Sequence, residues 1–329
     1  MIRLISFILL SLTIANASLL ISAGGFDFQK YKNHYSFNLS SGKKNYINIT
    51  EVLQKKSHKT NSVAIWITKN WQENWFDIKT VQQKIIDKGY TPMFIFYWFA
   101  DEINPEYIKK YKKDYFVTLR RFSKYLKKLN GQKIVVLNPE YNMAKTGEWE
   151  PMNEIFLESY KILRDSDPQV IVGPCVGDFG NYTSTYEPKE WKLFDKSLKY
   201  AVKKADFIAF QEMRALTKNS PSDIRLTAKR AYEFSKYLYK TYKKPTLLAY
   251  VAISSYGKNG EKIQANAYKS FVKYLPKMKK DAKLMLFGTF HYFDYPGHVG
   301  YFGPAEEFFG VLRNDGTKKP SFKYYNKLH

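Results

Sequence analysis

The residues best suited to chemistry lie in the stretch Leu137-Asn138-Pro139-Glu140-Tyr141-Asn142. An apolar run, Ile134-Val135-Val136-Leu137, leads straight into it, so an acid and two amides arrive together at the end of an expected strand. A glutamate desolvated by aromatic neighbours holds its proton to higher pH and can protonate a leaving glycosidic oxygen. Glu140 is therefore the candidate general acid, with Asn138, Tyr141 and Asn142 as candidate substrate contacts. The competing reading is a carboxylate hydrogen-bonded to loop amides near a strand end.

Hydrolysis of a glycoside normally uses a second carboxylate, as nucleophile or as base for water. Glu212, directly after Phe207-Ile208-Ala209-Phe210-Gln211, is the preferred partner. Its alternative is a salt bridge to the neighbouring Arg214. Asp294, Asp101 and Glu102 are further candidates, whereas the run at 247–252 ends without an acid. Trp66, Trp98, Gln211, His291, Tyr292 and Asp294 also fall at apparent strand ends and are expected to contact substrate. Asp178, Ser254 and Ser255 share such positions. The five histidines, His34, His58, His291, His298 and His329, show no paired metal-ligand spacing, so neither metal nor cofactor is expected. No Gly-x-Ser-x-Gly elbow is present. Cys175 is the single cysteine, which excludes an intramolecular disulfide, and no histidine partner marks it as a catalytic thiol.

These residues need a frame that gathers strand ends at one face. Short apolar runs alternate with amphipathic segments, the pattern of parallel strands joined by crossover helices. Strands are expected at 63–67, 92–98, 133–137, 170–173, 206–211, 246–252 and 283–290. An eighth, first in order, falls at 19–23 or around 26–31. Helices are expected at 77–88, 115–129, 153–164, 224–242 and 263–275, with a further one around Trp191, Phe194, Leu198 and Ala201. In the second of these Phe116, Leu119, Phe122, Leu126 and Leu129 recur at helical spacing, opposite Arg120, Arg121, Lys124 and Lys127. So many repeats in 329 residues predict an α/β protein with a (β/α)8 TIM barrel, and no glycine-rich phosphate loop favours a doubly wound sheet instead. The active face of such a barrel is formed by the C-terminal ends of its strands. The polar segment 31–61 reads as a loop-rich decoration or a short hairpin before the barrel proper.

Composition adds bounds. Hydrophobic residues make up 44% of the chain, enough for one large core. Twenty-seven Tyr and 24 Phe supply flat apolar faces of the kind that stack on sugar rings, although cores use them equally. Arg3, the apolar run 4–14 and Ala15-Asn16-Ala17 have the form of a signal peptide over 1–17, leaving one barrel domain over 18–329. An uncleaved anchor is the alternative, because apolar residues resume at Leu19, Leu20 and Ile21. A secreted, periplasmic or cell-envelope monomer without a membrane span after cleavage is expected. The net charge of +23 comes from lysines spread along the chain, either as a compositional bias or as attraction to an anionic partner such as an acidic polysaccharide. No reading module for nucleic acid is recognisable.

Taken in order, several segments resemble clan-A glycoside hydrolases, nearest in outline to the β-mannanase and lichenase family 26. Val63-Ala64-Ile65-Trp66-Ile67 and the run from Gly89 to Trp98 resemble that family's second and third strands. Glu140-Tyr141-Asn142, followed by Gly147-Glu148-Trp149-Glu150-Pro151, is similar to the surroundings of its acid/base glutamate, and brings in Trp149 as a substrate contact. The segment 310–322 is similar to the closing stretch of many barrel glycosidases. The resemblance implies a retaining glycosidase with Glu140 as acid/base. Two departures accompany it. Pro139 stands where the family has a histidine, and the seventh strand offers Tyr250 and Ser254 where the nucleophilic glutamate belongs. Tyr250 is accordingly taken as a substrate contact. Three functions follow: an exported glycosidase acting on a polysaccharide or oligosaccharide with a relocated second carboxylate, a glycan-binding pseudo-glycosidase, or a basic scaffold on an acidic envelope polymer.

Overall fold

A computed structural model describes residues 19–24, 49–57, 59–178, 191–192 and 194–328. The expected signal segment, most of the expected decoration at 31–61, and His34, His58 and His329 lie outside these residues. Eight parallel strands close into a barrel in sequence order, β1 to β8, with β1 pairing β8. They are β1 Leu20–Ala23, β2 Ser62–Thr68, β3 Thr91–Tyr97, β4 Lys133–Leu137, β5 Val170–Gly177, β6 Ile208–Arg214, β7 Thr246–Ile253 and β8 Leu286–Thr289. Helices follow each in turn: α1 Ile49–Lys56, α2 Ile78–Lys84, α3 Pro105–Lys127, α4 Met152–Ser166, α5 Asp195–Leu198, α6 Pro221–Tyr242, α7 Gly260–Ala282 and α8 Phe322–Tyr325. The protein is a (β/α)8 barrel, and its first strand is the earlier of the two segments the sequence offered.

Side chains alternate along each strand between barrel interior and helix layer. Ala64, Met93, Ile95, Ile134, Val136, Ile171, Cys175, Ala209 and Leu247 fill the interior. Phe94, Phe96, Val135, Leu137, Val172, Val176, Phe210 and Leu248 face outward into the larger core beneath the helices. Two helices show why the sequence starts them where it does. Pro105 opens α3 behind Asn104, whose side chain accepts from the Tyr107 amide at 2.8 Å. Pro221 opens α6 behind Ser220, which forms a reciprocal capping box with Asp223.

Where the strands depart from expectation, local chemistry explains it. β5 runs on past Pro174 to Gly177, because pairing with β4 ends at Pro174 and pairing with β6 begins at Cys175, so the missing amide falls where the ladder changes partner. β8 starts later than expected, since Lys283 adopts left-handed geometry (φ 50°) as the cap of α7 and the Leu284 amide still bonds back to Met278.

One irregularity matters for function. Between Leu248 and Val251, β7 carries one residue more than its neighbours: Phe210 aligns with Leu248 and Gln211 with Tyr250, while Phe287 aligns with Leu248 and Thr289 with Val251. This bulge turns both Ala249 and Tyr250 toward the barrel interior, where strict alternation would point Tyr250 outward. Gly288 makes room for it, because a Cβ there would lie 2.0 Å from the Ala249 carbonyl oxygen. Gly288→Ala should therefore destabilise the protein by roughly 1–3 kcal/mol, read as a lower urea midpoint; an unchanged midpoint would show that the bulge does not depend on this glycine.

Candidate active site

The C-terminal mouth of the barrel is built around Glu140. Immediately after β4, Asn138 (φ 48°) and Glu140 (φ 60°) both adopt left-handed backbone geometry on either side of Pro139. Non-glycine residues pay for that conformation, and such strain collects where function fixes a side chain. The turn is held by the Asn138 amide on the Phe96 carbonyl at 3.0 Å and by the Met143 amide on the Glu140 carbonyl at 3.0 Å. It places Glu140 over the barrel interior, above the buried Cys175, whose thiol pKa is pushed up by burial.

Around the glutamate stands a ring of aromatic side chains. Tyr250 donates its hydroxyl to Glu140 Oε1 at 3.0 Å. Trp66, at the end of β2, has ring centroids 5.4 Å from each of Tyr97, Tyr250 and Phe290. Phe290, just past β8, lies 5.3 Å from Tyr250. Burial among these groups raises the Glu140 pKa to about 7, against the opposing hydrogen bond from Tyr250, while the charges of Asp101 and Glu306 push it further up. Near neutrality Glu140 is thus poised to give up a proton. An aromatic wall and a proton donor are what a leaving sugar oxygen requires.

Further groups border this core. Tyr97 donates its hydroxyl to Asp101, which lies exposed in the 3-10 turn Ala100–Glu102 after β3. His291 is buried beside His298, their rings 4.9 Å apart, and among the described residues its Nε2 has no hydrogen-bond partner. His298 Nε2 meets Glu306 Oε2 at 3.1 Å, and the Phe302 amide donates to Glu306 Oε1 at 2.9 Å. Among the described residues, no three His, Cys, Asp or Glu side chains converge in a way that could hold a metal ion.

Of the residues singled out from sequence, Trp66, Glu140 and Tyr250 come together directly. Gln211, opposite Tyr250 in register, shares the inner face of β6 with Ala209, and His291 joins through Phe290 at 4.4 Å. The others are placed elsewhere. Glu212 follows Gln211 in β6 and so faces outward with Phe210. It is fully buried and meets Arg214 at 2.9 Å. Burial pushes its pKa well up, and the charge of Asp178 adds to this. Close by, Arg230 of α6 holds Asp178 through Nε at 2.9 Å and Nη2 at 3.0 Å, and Trp191 Nε1 donates to the same carboxylate at 2.8 Å. Glu212 therefore belongs to an ionic group behind the sheet and is not brought to Glu140.

Alternation relocates Trp98 as well. It packs outward between Phe99 and Tyr115, and Tyr97, one residue earlier, takes the place at the mouth. Asn138 donates to Tyr115 Oη at 3.2 Å, and Tyr141 pairs with Ser197 Oγ at 2.9 Å under α4. The Asn142 amide group bridges to Gly177, donating to its carbonyl at 2.9 Å and accepting its amide at 2.6 Å. Trp149 lies against Lys109 of α3, with 5.7 Å from Nζ to the ring. Tyr292 is buried against Tyr325, and Asp294 is held by Lys319 Nζ at 2.5 Å and the Gly310 amide at 3.1 Å. Tyr97 and Phe290 were not anticipated, although a period-2 count along β3 from Met93 and Ile95 points to Tyr97.

The fold recurs in solved structures of glycoside hydrolases. A GH5_18 from Bifidobacterium longum subsp. infantis is similar at 9% identity and a TM-score of 0.62, covering 94% of this chain and 78% of that one. A thermostable mutant xylanase, Xyn10A from Cellvibrio japonicus, matches at 11% identity and 0.59, covering 96% and 98%. A fungal β-1,4-galactanase matches at 11% and 0.64, covering 94% and 99%. No protein-family model and no curated protein matches the sequence. At these identities the likeness shows the (β/α)8 barrel fold alone, and it does not single out family 26.

The raised Glu140 pKa has a signed consequence for stability. The folded chain favours the protonated form, so this group's contribution is fullest below the ordinary value of 4.5 and is lost as pH rises through about 7. Glu140→Gln, which cannot ionise, should melt above the unsubstituted protein at about pH 8, with the difference shrinking by about pH 5. A difference that is the same at both values would contradict the buried-acid description.

Proposed function

We propose that this protein is a glycoside hydrolase acting on a polysaccharide or oligosaccharide, with Glu140 as the general acid. The observation that carries this is the environment of Glu140: a carboxyl pushed to a pKa of about 7 by burial, beside Tyr250 and Trp66 at the mouth of a barrel. Trp66, Tyr97 and Phe290 offer apolar faces to a sugar ring, and Gln211 and His291 offer polar atoms. We take Glu212 as a structural carboxylate behind the sheet. All of these groups come from one chain, consistent with a protein that works as a monomer.

The apparent signal segment at 1–17 supports action outside the cytoplasm, and no helix of the described residues is long and apolar enough to cross a membrane. A net charge of +23 favours an anionic polymer as substrate, through long-range attraction that salt screens. A glycan-binding protein without turnover is the second reading, favoured by one observation: β7 ends at Ile253 and is followed by Ser254 and Ser255, with no carboxylate at the strand end.

Screening the purified protein against neutral and acidic glycans separates the two. On a responsive glycan, Glu140→Gln should lower kcat by about 10²–10⁴-fold. Glu212→Gln should keep turnover of the same order. With a general acid that must be protonated, kcat/KM should fall as pH rises through about 7. Binding without turnover by the unsubstituted protein would select the second reading, and undiminished turnover by Glu140→Gln would remove the catalytic assignment.

A further inference from the structure

We propose that Tyr301 and Lys218, where the loops after β8 and β6 meet, form an outer sugar subsite that takes a uronate residue of an acidic glycan. The proposal rests on the carbohydrate reading above and gives it a contact that net charge alone does not specify.

Among the described residues Tyr301 is the most exposed large apolar side chain, at 75%. A lone exposed tyrosine is ordinary, but this one is rigidly mounted. It sits in the turn 300–303, which closes through the Gly303 amide on the Gly300 carbonyl at 2.9 Å. Phe302 points the other way and is buried, with its ring 5.0 Å from Tyr301 and 6.0 Å from Phe309. Its amide donates to Glu306 at 2.9 Å, and its carbonyl accepts from Thr217 Oγ1 at 3.0 Å. A Cβ on Gly300 would lie 2.7 Å from the Glu306 carboxylate, so the turn is seated directly on that buried acid. Such anchoring removes the ordering cost that a ligand meets on a free loop. Phe309 in turn lies 5.8 Å from Phe290, which belongs to the aromatic ring around Glu140. Ring contacts therefore run without a break from the surroundings of Glu140 out to Tyr301.

Lys218 comes from the loop after β6. Asn219 folds that loop back by accepting the Ala215 amide at 3.1 Å, and the Lys218 amide donates to the Ala215 carbonyl at 3.0 Å. The side chain is exposed, and its Nζ lies 5.1 Å from the centroid of the Tyr301 ring. Among the described residues no carboxylate pairs with it. Glu306, the acid beneath the turn, is already engaged by the Phe302 amide and by His298. An apolar face and an uncompensated cation thus stand side by side. A pyranose offers a C–H face to a tyrosine ring, and a uronate adds a carboxylate at its rim, where an ammonium beside that ring can meet it. A neutral sugar would use the ring alone. Because a solvent-exposed ion pair contributes little, Lys218 sets a preference of a few-fold while stacking on Tyr301 holds sugars of either kind. A contact so far from the scissile bond is made equally in the bound substrate and the transition state, so it acts on KM and leaves kcat alone.

The test titrates the full chain carrying Glu140→Gln, so that no ligand is consumed, with fragments of polygalacturonate, alginate and hyaluronan, each beside its carboxyl-reduced form. Adding Lys218→Gln should weaken binding of the preferred acidic fragment by about 2–5-fold and leave its reduced form unchanged. Lys218→Arg should keep the preference. Tyr301→Ala should weaken both forms by about 3–10-fold. Lys280→Gln, near the far end of α7, controls for general attraction to a basic protein and should change neither. In the chain with Glu140 intact, the same Tyr301 and Lys218 substitutions should raise KM for that acidic glycan and leave kcat within about 2-fold. The subsite is overturned if Lys218→Gln acts no more strongly than Lys280→Gln, if Tyr301→Ala leaves affinity unchanged, or if no acidic fragment outbinds its reduced form. It is likewise overturned if Tyr301→Ala instead dissolves a dimer seen by light scattering, which would give this face to a second copy. Turnover of a neutral glycan alongside any of these results would leave the glycosidase reading standing. Binding that depends on Lys218, in a protein that turns over no glycan, would support the subsite and remove the hydrolase.

Discussion

The hydrogen bond from Tyr250 to Glu140 is the interaction on which the site depends. A carboxyl buried among aromatic rings resists ionisation, and without an oriented donor its direction would be left to chance. Tyr250 supplies that donor only because β7 carries an extra residue, and the extra residue fits only because position 288 is glycine. The chemistry of one glutamate thus reaches back through a tyrosine and a bulge to the closure of the barrel between β7 and β8.

A second constraint works behind the sheet. Asp178, Glu212, Arg214 and Arg230 are all at least nine-tenths buried, where an unpaired charge would cost several kcal/mol. Pairing Arg230 with Asp178 and Arg214 with Glu212 meets that demand, and Trp191 closes the Asp178 end. The arrangement ties β5 and β6 to α6. Its proximity to the mouth along the chain, one residue from Gln211, shows how a strand can line the mouth on one face and serve cohesion on the other.

Alternation decided which parts of the site were legible in the sequence. The apolar runs located the strands well, and their order implied the barrel, because strand burial and helical periodicity are local properties. Glu140 stood out since it follows β4 directly. Glu212 and Trp98 stood out for the same reason, yet both face the helices, and a single step along the strand separates them from Gln211 and Tyr97 at the inner face. Counting parity from the strand interior would have made that distinction. Parity fails at Tyr250, where the bulge reverses direction, and a bulge depends on contacts between strands distant in sequence. The loop carrying His298 and Glu306 was equally hidden, since its approach to the ring is set by tertiary packing around Phe290 and Phe309.

The central claim is that Glu140 keeps its proton to near-neutral pH. A carboxyl-carbon NMR titration of the intact protein, with Glu140→Gln used to assign the resonance, measures that directly. The account predicts a midpoint near 7. A midpoint at the ordinary glutamate value of 4.5 would contradict it and leave Glu140 ionised near neutrality.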